Sequence, residues 1–388
     1  MPSPLYDRNY LLLNGSNFLY SLYATQFIFL PAFLYRLGTR EGEIGLLMAT
    51  GALVSVSLKP VNGVLVDRGG RIPFLITGAL LAAASTIPWI FVRGKGGHLF
   101  AIRIFQGMAY SFFATAAYAY IAAVAPEDRR GEALGIFGLS FFVPWAAGGW
   151  LGEQLIGAYG FRALFVCSAG IAVAAGLLPL WISDPPRSAG LSFSSLREFL
   201  TRPYFVPNNA SFLFGMGHGT LFTFLPVYLL LTRVSGIGLF LLVYALSVIG
   251  TRTIGRTLTD RFPRPRLVLL ALLLIGAGVG SVPFARGHGG IVLVAVVSGT
   301  GHGILFPSLS ALVLDRSGRD RGGIAMAMFT GALDMGLVTG AAAFGFVAEH
   351  LGYRAMFGSA AALTGAGSLL FFLLDPSFRR AAPPPPAP

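Results

Sequence analysis

The chain has 388 residues, of which 55% are hydrophobic and 11% are charged. Because soluble domains carry roughly 25% charged residues, this composition excludes a soluble protein and indicates one that crosses a membrane many times. The formal charge of +12 does not indicate a nucleic-acid partner, since most basic residues lie in the connections between apolar stretches. The single cysteine, Cys167, excludes a disulfide framework and a cysteine metal site.

Apolar stretches long enough to cross a bilayer, about 20 residues each, recur along the whole chain. Residues 1–184 and residues 205–376 are predicted to form two halves of six helices each. Residues 185–204 are predicted as a cytoplasmic linker, and the Pro-rich residues 377–388 as a disordered tail. The twelve predicted membrane helices are 10–35, 42–66, 72–92, 97–124, 131–156, 161–183, 205–231, 236–259, 265–284, 289–313, 323–348 and 352–374.

Basic residues are about twice as frequent in the connections on one side of the predicted bundle as on the other. The positive-inside rule assigns the richer side, which carries both chain termini, to the cytoplasm. We therefore expect a multi-pass protein of the bacterial inner membrane, present as a monomer, with the lipid bilayer as its surroundings.

Several unrelated features recur after a shift of about 192 residues. Such a duplication predicts two related halves arranged about an axis along the membrane normal, which leaves a central cavity between them. A cavity between two halves that rock against each other is typical of a transporter. The matching features are Gly160 and Gly352, Arg162 and Arg354, Phe165 and Phe357, and Asp67-Arg68 and Asp260-Arg261.

The connection after the second predicted helix reads Gly63-Val-Leu-Val-Asp-Arg-Gly-Gly-Arg71. It resembles the G-x-L-x-D-R-x-G-R signature of the major facilitator superfamily, and Arg103-Ile-Phe-Gln-Gly107 is similar to that family's R-x-x-Q-G element. The whole pattern is most similar to bacterial members of the efflux-permease type. The resemblance implies the major facilitator fold of twelve helices and a transporter that works by alternating access.

The signature loop is a candidate gate. Asp67 ends a helix at the membrane surface, where it can pair with basic side chains and with the positive end of a neighbouring helix, holding the cytoplasmic side shut. An ordinary surface ion pair is the alternative. The predicted gating residues are Gly63, Asp67, Arg68 and Arg71, with Asp260 and Arg261 from the second copy.

Basic side chains inside the predicted spans are candidates for function, because charge is costly in a bilayer. Lys59 and Arg252 each stand eight residues before the matching aspartates, and they could attract an anionic solute to the inner vestibule. Alternatively, each extends to the interface or caps a helix of the other half. Arg103 is predicted to take part in solute binding or proton coupling, because this helix lines the cavity in the resembling family.

Two acids lie within predicted spans, Asp334 in the middle of the eleventh helix and Glu153 near the outer end of the fifth. An unpaired carboxylate in apolar surroundings favours its protonated form, so Asp334 is predicted to carry the coupling proton. The alternative is a hydrogen bond that fastens Asp334 to a neighbouring helix. Glu153 is the second coupling candidate, able to pair with Arg103 or to meet the lipid headgroups.

Two histidines have the same setting, Gly217-His218-Gly219 and Gly301-His302-Gly303, near the middle of the seventh and tenth helices. Imidazole titrates near neutral pH and both donates and accepts hydrogen bonds, so the pair is predicted to bind the solute or to relay a proton. Helix packing through the glycines is the alternative. No metal site is predicted, because no carboxylate is spaced with the two histidines.

Polar side chains at helical spacing on the first and fourth helices predict stripes that face the cavity. The candidates for solute binding there are Asn17, Gln26, Gln106 and Tyr110. Amides and aromatic rings with few fixed charges indicate a small organic solute with a hydrophobic part.

The leading prediction is a secondary transporter that exports a small organic solute by proton antiport, without a cofactor. A proton symporter or a uniporter for uptake is the alternative within the same class. A membrane receptor or enzyme on the same fold is the remote alternative, and an enzyme is disfavoured because no hydrolase, zinc-protease or phosphate-loop motif occurs in the sequence.

Overall fold

A computed structural model of the chain describes residues 6–125, 129–184, 202–234, 236–254, 262–317 and 322–378. The regular structure within these ranges is helical throughout. The helices are α1 (Arg8–Arg36), α2 (Glu41–Gly69), α3 (Arg71–Ile90), α4 (His98–Val124), α5 (130–159), α6 (161–177), α7 (Arg202–Leu231), α8 (Ile237–Ile254), α9 (Arg264–Phe284), α10 (Gly287–Ser317), α11 (322–351) and α12 (353–374).

Two glycines create the boundaries α5/α6 and α11/α12. Gly160 has φ 77° and Gly352 has φ 80°, in the left-handed region that glycine enters without a steric penalty. At each of them a long helical stretch, Arg130–Leu177 and Gly322–Leu374, divides into two helices. The duplication noted in the sequence therefore includes the same backbone device in both halves.

Nine helices of the described chain are long and apolar enough to cross a membrane, and a shorter apolar helix covers Ile237–Thr253. Each predicted span coincides with a helical segment within the described residues. The prediction of an all-helical polytopic membrane protein is confirmed. Most of the predicted linker and tail, together with Asp260 and Arg261, lies outside the described residues.

The beginning of α1 and the end of α6 meet at one face of the bundle. The Ser183 N–H donates to Asn9 Oδ1 at 3.5 Å, and the Arg71 N–H at the start of α3 donates to Asp184 Oδ2 at 2.8 Å. We call this face, on which α1 begins and α12 ends, the terminal face. The opposite face is called the distal face.

The two halves approach each other most closely on the distal side. There α2 packs against α11, where a Cβ at Gly45 would overlap the carbonyl oxygen of Ala341. Similarly, α5 packs against α8, where a Cβ at Gly149 would overlap the side chain of Leu241. Small residues allow this close approach of helix backbones.

A cavity between the halves opens toward the terminal face. Tyr118, in the last two turns of α4, is 61% exposed, yet it lies within electrostatic reach of Lys59, Arg252 and Asp334. Those three residues come from α2, α8 and α11. A largely exposed ring among side chains of both halves must border open space, and its position near the terminal end of α4 gives the direction of the opening.

Candidate functional site

The structure brings the two predicted histidines together. The rings of His218 on α7 and His302 on α10 have centroids 4.9 Å apart. Tyr244 of α8 bridges them, with its hydroxyl oxygen 3.1 Å from His218 Nε2 and 2.7 Å from His302 Nδ1. A hydroxyl has one proton to donate, so at most one imidazole accepts from Tyr244, and any hydrogen bond from the other must be donated by that ring. The three side chains therefore form one coupled polar unit.

Aromatic side chains of α5 close this unit from the other half. Trp145 lies 5.0 Å from Phe222 and 6.3 Å from Tyr244 between ring centroids, and Phe142 lies 5.6 Å from His302. The polar unit and these rings together are called the aromatic cluster: His218, His302, Tyr244, Phe142, Trp145 and Phe222. The aromatic cluster therefore lies at the contact between the halves.

Lys59 and Asp334 form an ion pair that also bridges the halves, because Lys59 is on α2 and Asp334 is on α11. The Lys59 ammonium donates to Asp334 Oδ2. The side chains are 38% and 18% exposed, so the pair borders the cavity. Asp334 is thus not the unpaired carboxylate considered from sequence alone, and Lys59 reaches into the other half.

Arg252 lies between two aromatic rings from different halves. Its guanidinium carbon is 4.7 Å from the centroid of Phe142 on α5 and 5.6 Å from that of Phe306 on α10. Its Nε is buried without a hydrogen-bond partner among the described residues. Arg252 is therefore held by cation–π contacts rather than by an anion.

Arg103 is fully used by its own half. Its Nε donates to the Leu47 carbonyl at 3.1 Å, Nη1 to Gln106 Oε1 at 2.8 Å and Nη2 to the Met48 carbonyl at 3.4 Å. Arg103 and Gln106 thus tie α4 to the backbone of α2 in this conformation. Tyr110, farther along α4, is 38% exposed and lies within electrostatic reach of Asp334, so it borders the cavity.

The two amides predicted on α1 are engaged in packing between α1 and α5. Asn17 donates to Ser140 Oγ at 2.7 Å, and Gln26 donates to the Gly148 carbonyl at 3.1 Å. The two amides are 8% and 1% exposed. In this conformation neither amide side chain borders open space.

Glu153 meets neither Arg103 nor the headgroups. Its Oε1 accepts from the Gly236 N–H at 2.8 Å and its Oε2 from the Gly238 N–H at 2.9 Å, so it caps the N-terminus of α8 across the halves. A carboxylate is stabilised at this end of a helix by unpaired N–H groups and the helix dipole.

Glu349 makes the same contact in the other direction. Its Oε2 accepts from the Gly42 N–H in the first turn of α2 at 3.1 Å, and its Oε1 lies 3.6 Å from Arg40. We call Glu153 on α8 and Glu349 on α2 the distal clamps. Glu349 was not predicted from the sequence, although its distance from Glu153 is close to the shift of the repeat.

The signature loop is only partly paired in this conformation. The Arg71 side chain is 3% exposed and its Nη1 lies 3.5 Å from Asp184 Oδ1. Asp67 has no ion pair with the described residues, and Arg68 is exposed. At Gly63 an added Cβ would meet open space. The second copy of the gate, Asp260 and Arg261, lies outside the residues that can be described.

Prolines stand next to three of the side chains at the site. Pro60 follows Lys59 in α2, Pro144 precedes Trp145 in α5, and Pro307 follows Phe306 in α10. A proline inside a helix removes one backbone hydrogen bond and bends the helix. These bends aim the site residues and leave the helices locally deformable.

Comparison with known proteins places this geometry in a family. The sequence profile of the Major Facilitator Superfamily matches residues 12–287 and, in an overlapping second match, residues 210–388. An uncharacterised MFS-type transporter of Methanocaldococcus jannaschii is 26% identical over 83% of this chain and 86% of its own length. The staphylopine export protein of Staphylococcus aureus is 23% identical over 92% of this chain and 93% of its own length.

The synaptic vesicular amine transporter of Bos taurus is 29% identical over 80% of this chain, which corresponds to 62% of that protein. Among solved structures, the nucleoside transporter NupG superposes with a TM-score of 0.82 at 13% identity, over 95% of this chain and all of the other. A bacterial homologue of the lysosomal transporter Spinster, in an inward-facing and unoccupied conformation, superposes with a TM-score of 0.78 at 14% identity, covering 98% of this chain and 99% of the other. At such identities the likeness shows the fold, which agrees with the fold predicted from the sequence.

Proposed function

Because the chain belongs to the Major Facilitator Superfamily, we propose that it is a secondary transporter that exports a small organic solute in exchange for protons. The observation that carries the proposal is the ion pair of Lys59 with Asp334, since it joins α2 to α11 beside the cavity. A contact that links the two halves and depends on one ionisable carboxylate is suited to couple protonation to movement of the halves.

The coupling follows from the charge of Asp334. Protonation removes the negative charge, and Lys59 then loses the group that neutralises it next to the cavity. A buried ion pair that loses one partner's charge is strongly destabilised, so the contact between α2 and α11 weakens. In this scheme the ionised pair belongs to the conformation that accepts solute, and the protonated form returns the empty carrier.

The direction rests on topology. The terminal face carries both termini, and the bias of arginine and lysine assigns it to the cytoplasm of a bacterial inner membrane. A cavity that opens there, with Lys59 paired to Asp334, is ready to load solute from inside. The staphylopine export protein and the vesicular amine transporter, similar along most of this chain, are named for export and for amine transport. They support an organic solute. We further propose that the working unit is a monomer.

The proposal is tested in proteoliposomes with a solute selected by a thermal-shift screen of the purified protein. Asp334→Asn should abolish solute transport driven by a pH gradient while solute-for-solute exchange continues, because exchange requires no proton. The matched control is Asp315→Asn. Asp315 is also paired with an arginine, Arg264, but it is 57% exposed on α10 near the terminal face, so its loss should leave both activities unchanged.

Two results would contradict the proposal. Gradient-driven transport that survives in Asp334→Asn would remove Asp334 from the coupling. Solute movement in the same direction as the protons would favour the symporter for uptake.

A further inference from the structure

We propose that the transported solute is an organic anion with an aromatic or otherwise apolar body, and that Arg252 binds its negative group. The inference rests on the proposed transport function and names the chemical class of its solute. It starts from the unequal pairing of the charges between the two halves.

Three cations and one acid take part. Lys59 is neutralised by Asp334, and all three nitrogens of Arg103 donate to oxygen atoms of α2 and α4. Arg252, by contrast, has a buried Nε without a partner among the described residues. With one acid against three cations, the site has an excess of positive charge, and Arg252 is where that charge has no counterion within the described chain.

The surroundings of Arg252 prepare it for an anion. Rings of Phe142 and Phe306 contact the guanidinium at 4.7 and 5.6 Å, and contacts with ring faces do not satisfy its N–H donors. A guanidinium has five donors in a planar fork that matches a carboxylate with two parallel hydrogen bonds. Because an uncompensated charge in a membrane is costly, a bound anion would stabilise this site. Arg252 also lies within electrostatic reach of Tyr118, which borders the open cavity.

The size of the solute follows from the distance to the aromatic cluster. Tyr244 stands eight residues before Arg252 on α8, about 12 Å farther toward the distal face. Between them, Phe142 contacts both Arg252 and His302. A carboxylate at Arg252 therefore leaves an apolar body of one or two fused rings to pack against Phe142 and Trp145. The coupled unit of His218, Tyr244 and His302 then provides hydrogen bonds without charge at the far end.

A cationic solute is disfavoured by the same arrangement. An ammonium group would enter between Lys59 and Arg252, and Asp334, the acid at this position, already has a partner. The solute class therefore differs from the amines named for the vesicular relatives. An anion also suits export, because a potential of 100 mV, negative inside, favours exit of one negative charge about fiftyfold at equilibrium.

The test uses three probes that share one ring system: 2-naphthoate, neutral 2-naphthamide and cationic 2-naphthylmethylamine. Binding to the full chain in detergent is measured at pH 7.5 by isothermal titration calorimetry, with titration into protein-free micelles subtracted. The wild type should bind the carboxylate at least about tenfold more tightly than the amide or the amine. Arg252→Gln should reduce this preference to about threefold or less.

Arg264→Gln is the control for loss of one positive charge, because Arg264 pairs with Asp315 near the terminal face, away from Arg252. It should keep the preference of the wild type. Folding of each variant is checked by size-exclusion chromatography. If Arg252→Gln does not yield a folded protein, Arg252→Lys replaces it. That variant keeps the charge without the planar fork and should lower the preference by at least about threefold.

Three outcomes would overturn the inference: amide or amine bound as tightly as the carboxylate by the wild type, no binding of the carboxylate, or a full carboxylate preference in Arg252→Gln. These outcomes are distinct from failure of the proposed function. If proton-driven transport of a neutral or cationic solute is found while the carboxylate preference is absent, the transporter stands and the solute class is wrong. If the preference is found without proton coupling, the reverse holds.

Discussion

Removal of the distal clamps should open the distal face. Glu153→Gln keeps the size of the side chain and one acceptor oxygen, but it loses the charge and one of the two hydrogen bonds to the N-terminus of α8. Glu349→Gln makes the equivalent change at α2, where the carboxylate accepts from Gly42 and lies near Arg40. Both contacts join the halves only while the distal side is closed, so their loss acts on the conformational equilibrium.

The size of the effect follows from the bonds that are lost. A hydrogen bond to a charged group contributes about 1.5 to 3 kcal/mol, and the interaction with the helix dipole adds roughly 0.3 to 1 kcal/mol where it is exposed. Because both clamps are partly buried, we take the lower part of the combined range. Each single variant should then shift the population toward the distal-open state by about tenfold to thirtyfold. Energies of separate sites add, so the double variant should shift it by the product of the two.

The assay uses the accessibility of one cysteine. Cys167→Ser gives a cysteine-free background, since Cys167 is the only cysteine of the chain. Leu241→Cys then places a reporter at a fully buried position that packs against Gly149 on the distal side. The labelling rate with a membrane-impermeant maleimide added from the distal side should rise in the order of wild type, single variants and double variant.

Glu43→Gln is the matched control, because Glu43 is in the first turn of α2 and makes no ion pair or hydrogen bond across the halves within the described residues. Its labelling rate should equal that of the background. If the double clamp variant labels no faster than Glu43→Gln, the carboxylates do not hold the distal face closed, and the packing of α2 against α11 and of α5 against α8 suffices.

Two further predictions concern the gate and the histidines. Asp67→Asn should shift the population toward the state open on the terminal face and lower turnover, because the gate loses its charged group; cysteine labelling at the terminal vestibule measures the shift, and unchanged labelling with full transport would refute it. His302→Gln keeps a donor and an acceptor and should retain part of the solute affinity, whereas His302→Leu leaves a polar group of the solute unpaired at about 1 to 3 kcal/mol and should lose about tenfold in affinity. The same order is expected at His218, and equal affinities in all versions at both positions would assign the two histidines to helix packing.

The sequence predicted the helices well, because a membrane requires long apolar stretches and the charges between them mark the ends. It also predicted that His218 and His302 deserve the same attention, since their flanking glycines repeat. Tyr244 between them was not predicted, because a tyrosine in an apolar run has no local pattern that distinguishes a bridging side chain from a packing one.

Contacts between the halves were the least predictable. Lys59 and Asp334 were each selected as charges within the membrane, but they are 275 positions apart, and periodicity does not specify which helices of the two halves face each other. For the same reason the polar stripe on α1 was predicted to face the cavity, whereas Asn17 and Gln26 bind α5. Helical spacing identifies residues that share a face but does not identify the neighbour of that face.

The most direct test of proton coupling measures proton movement that is caused by the solute itself. Proteoliposomes contain a trapped pH-sensitive dye, and a solute found by the thermal-shift screen is added outside at equal pH on both sides. Antiport predicts a change of internal pH that requires the solute, is opposite in direction to its flux, and is absent in Asp334→Asn. Uptake of labelled solute by the wild type with no change of internal pH would contradict proton coupling.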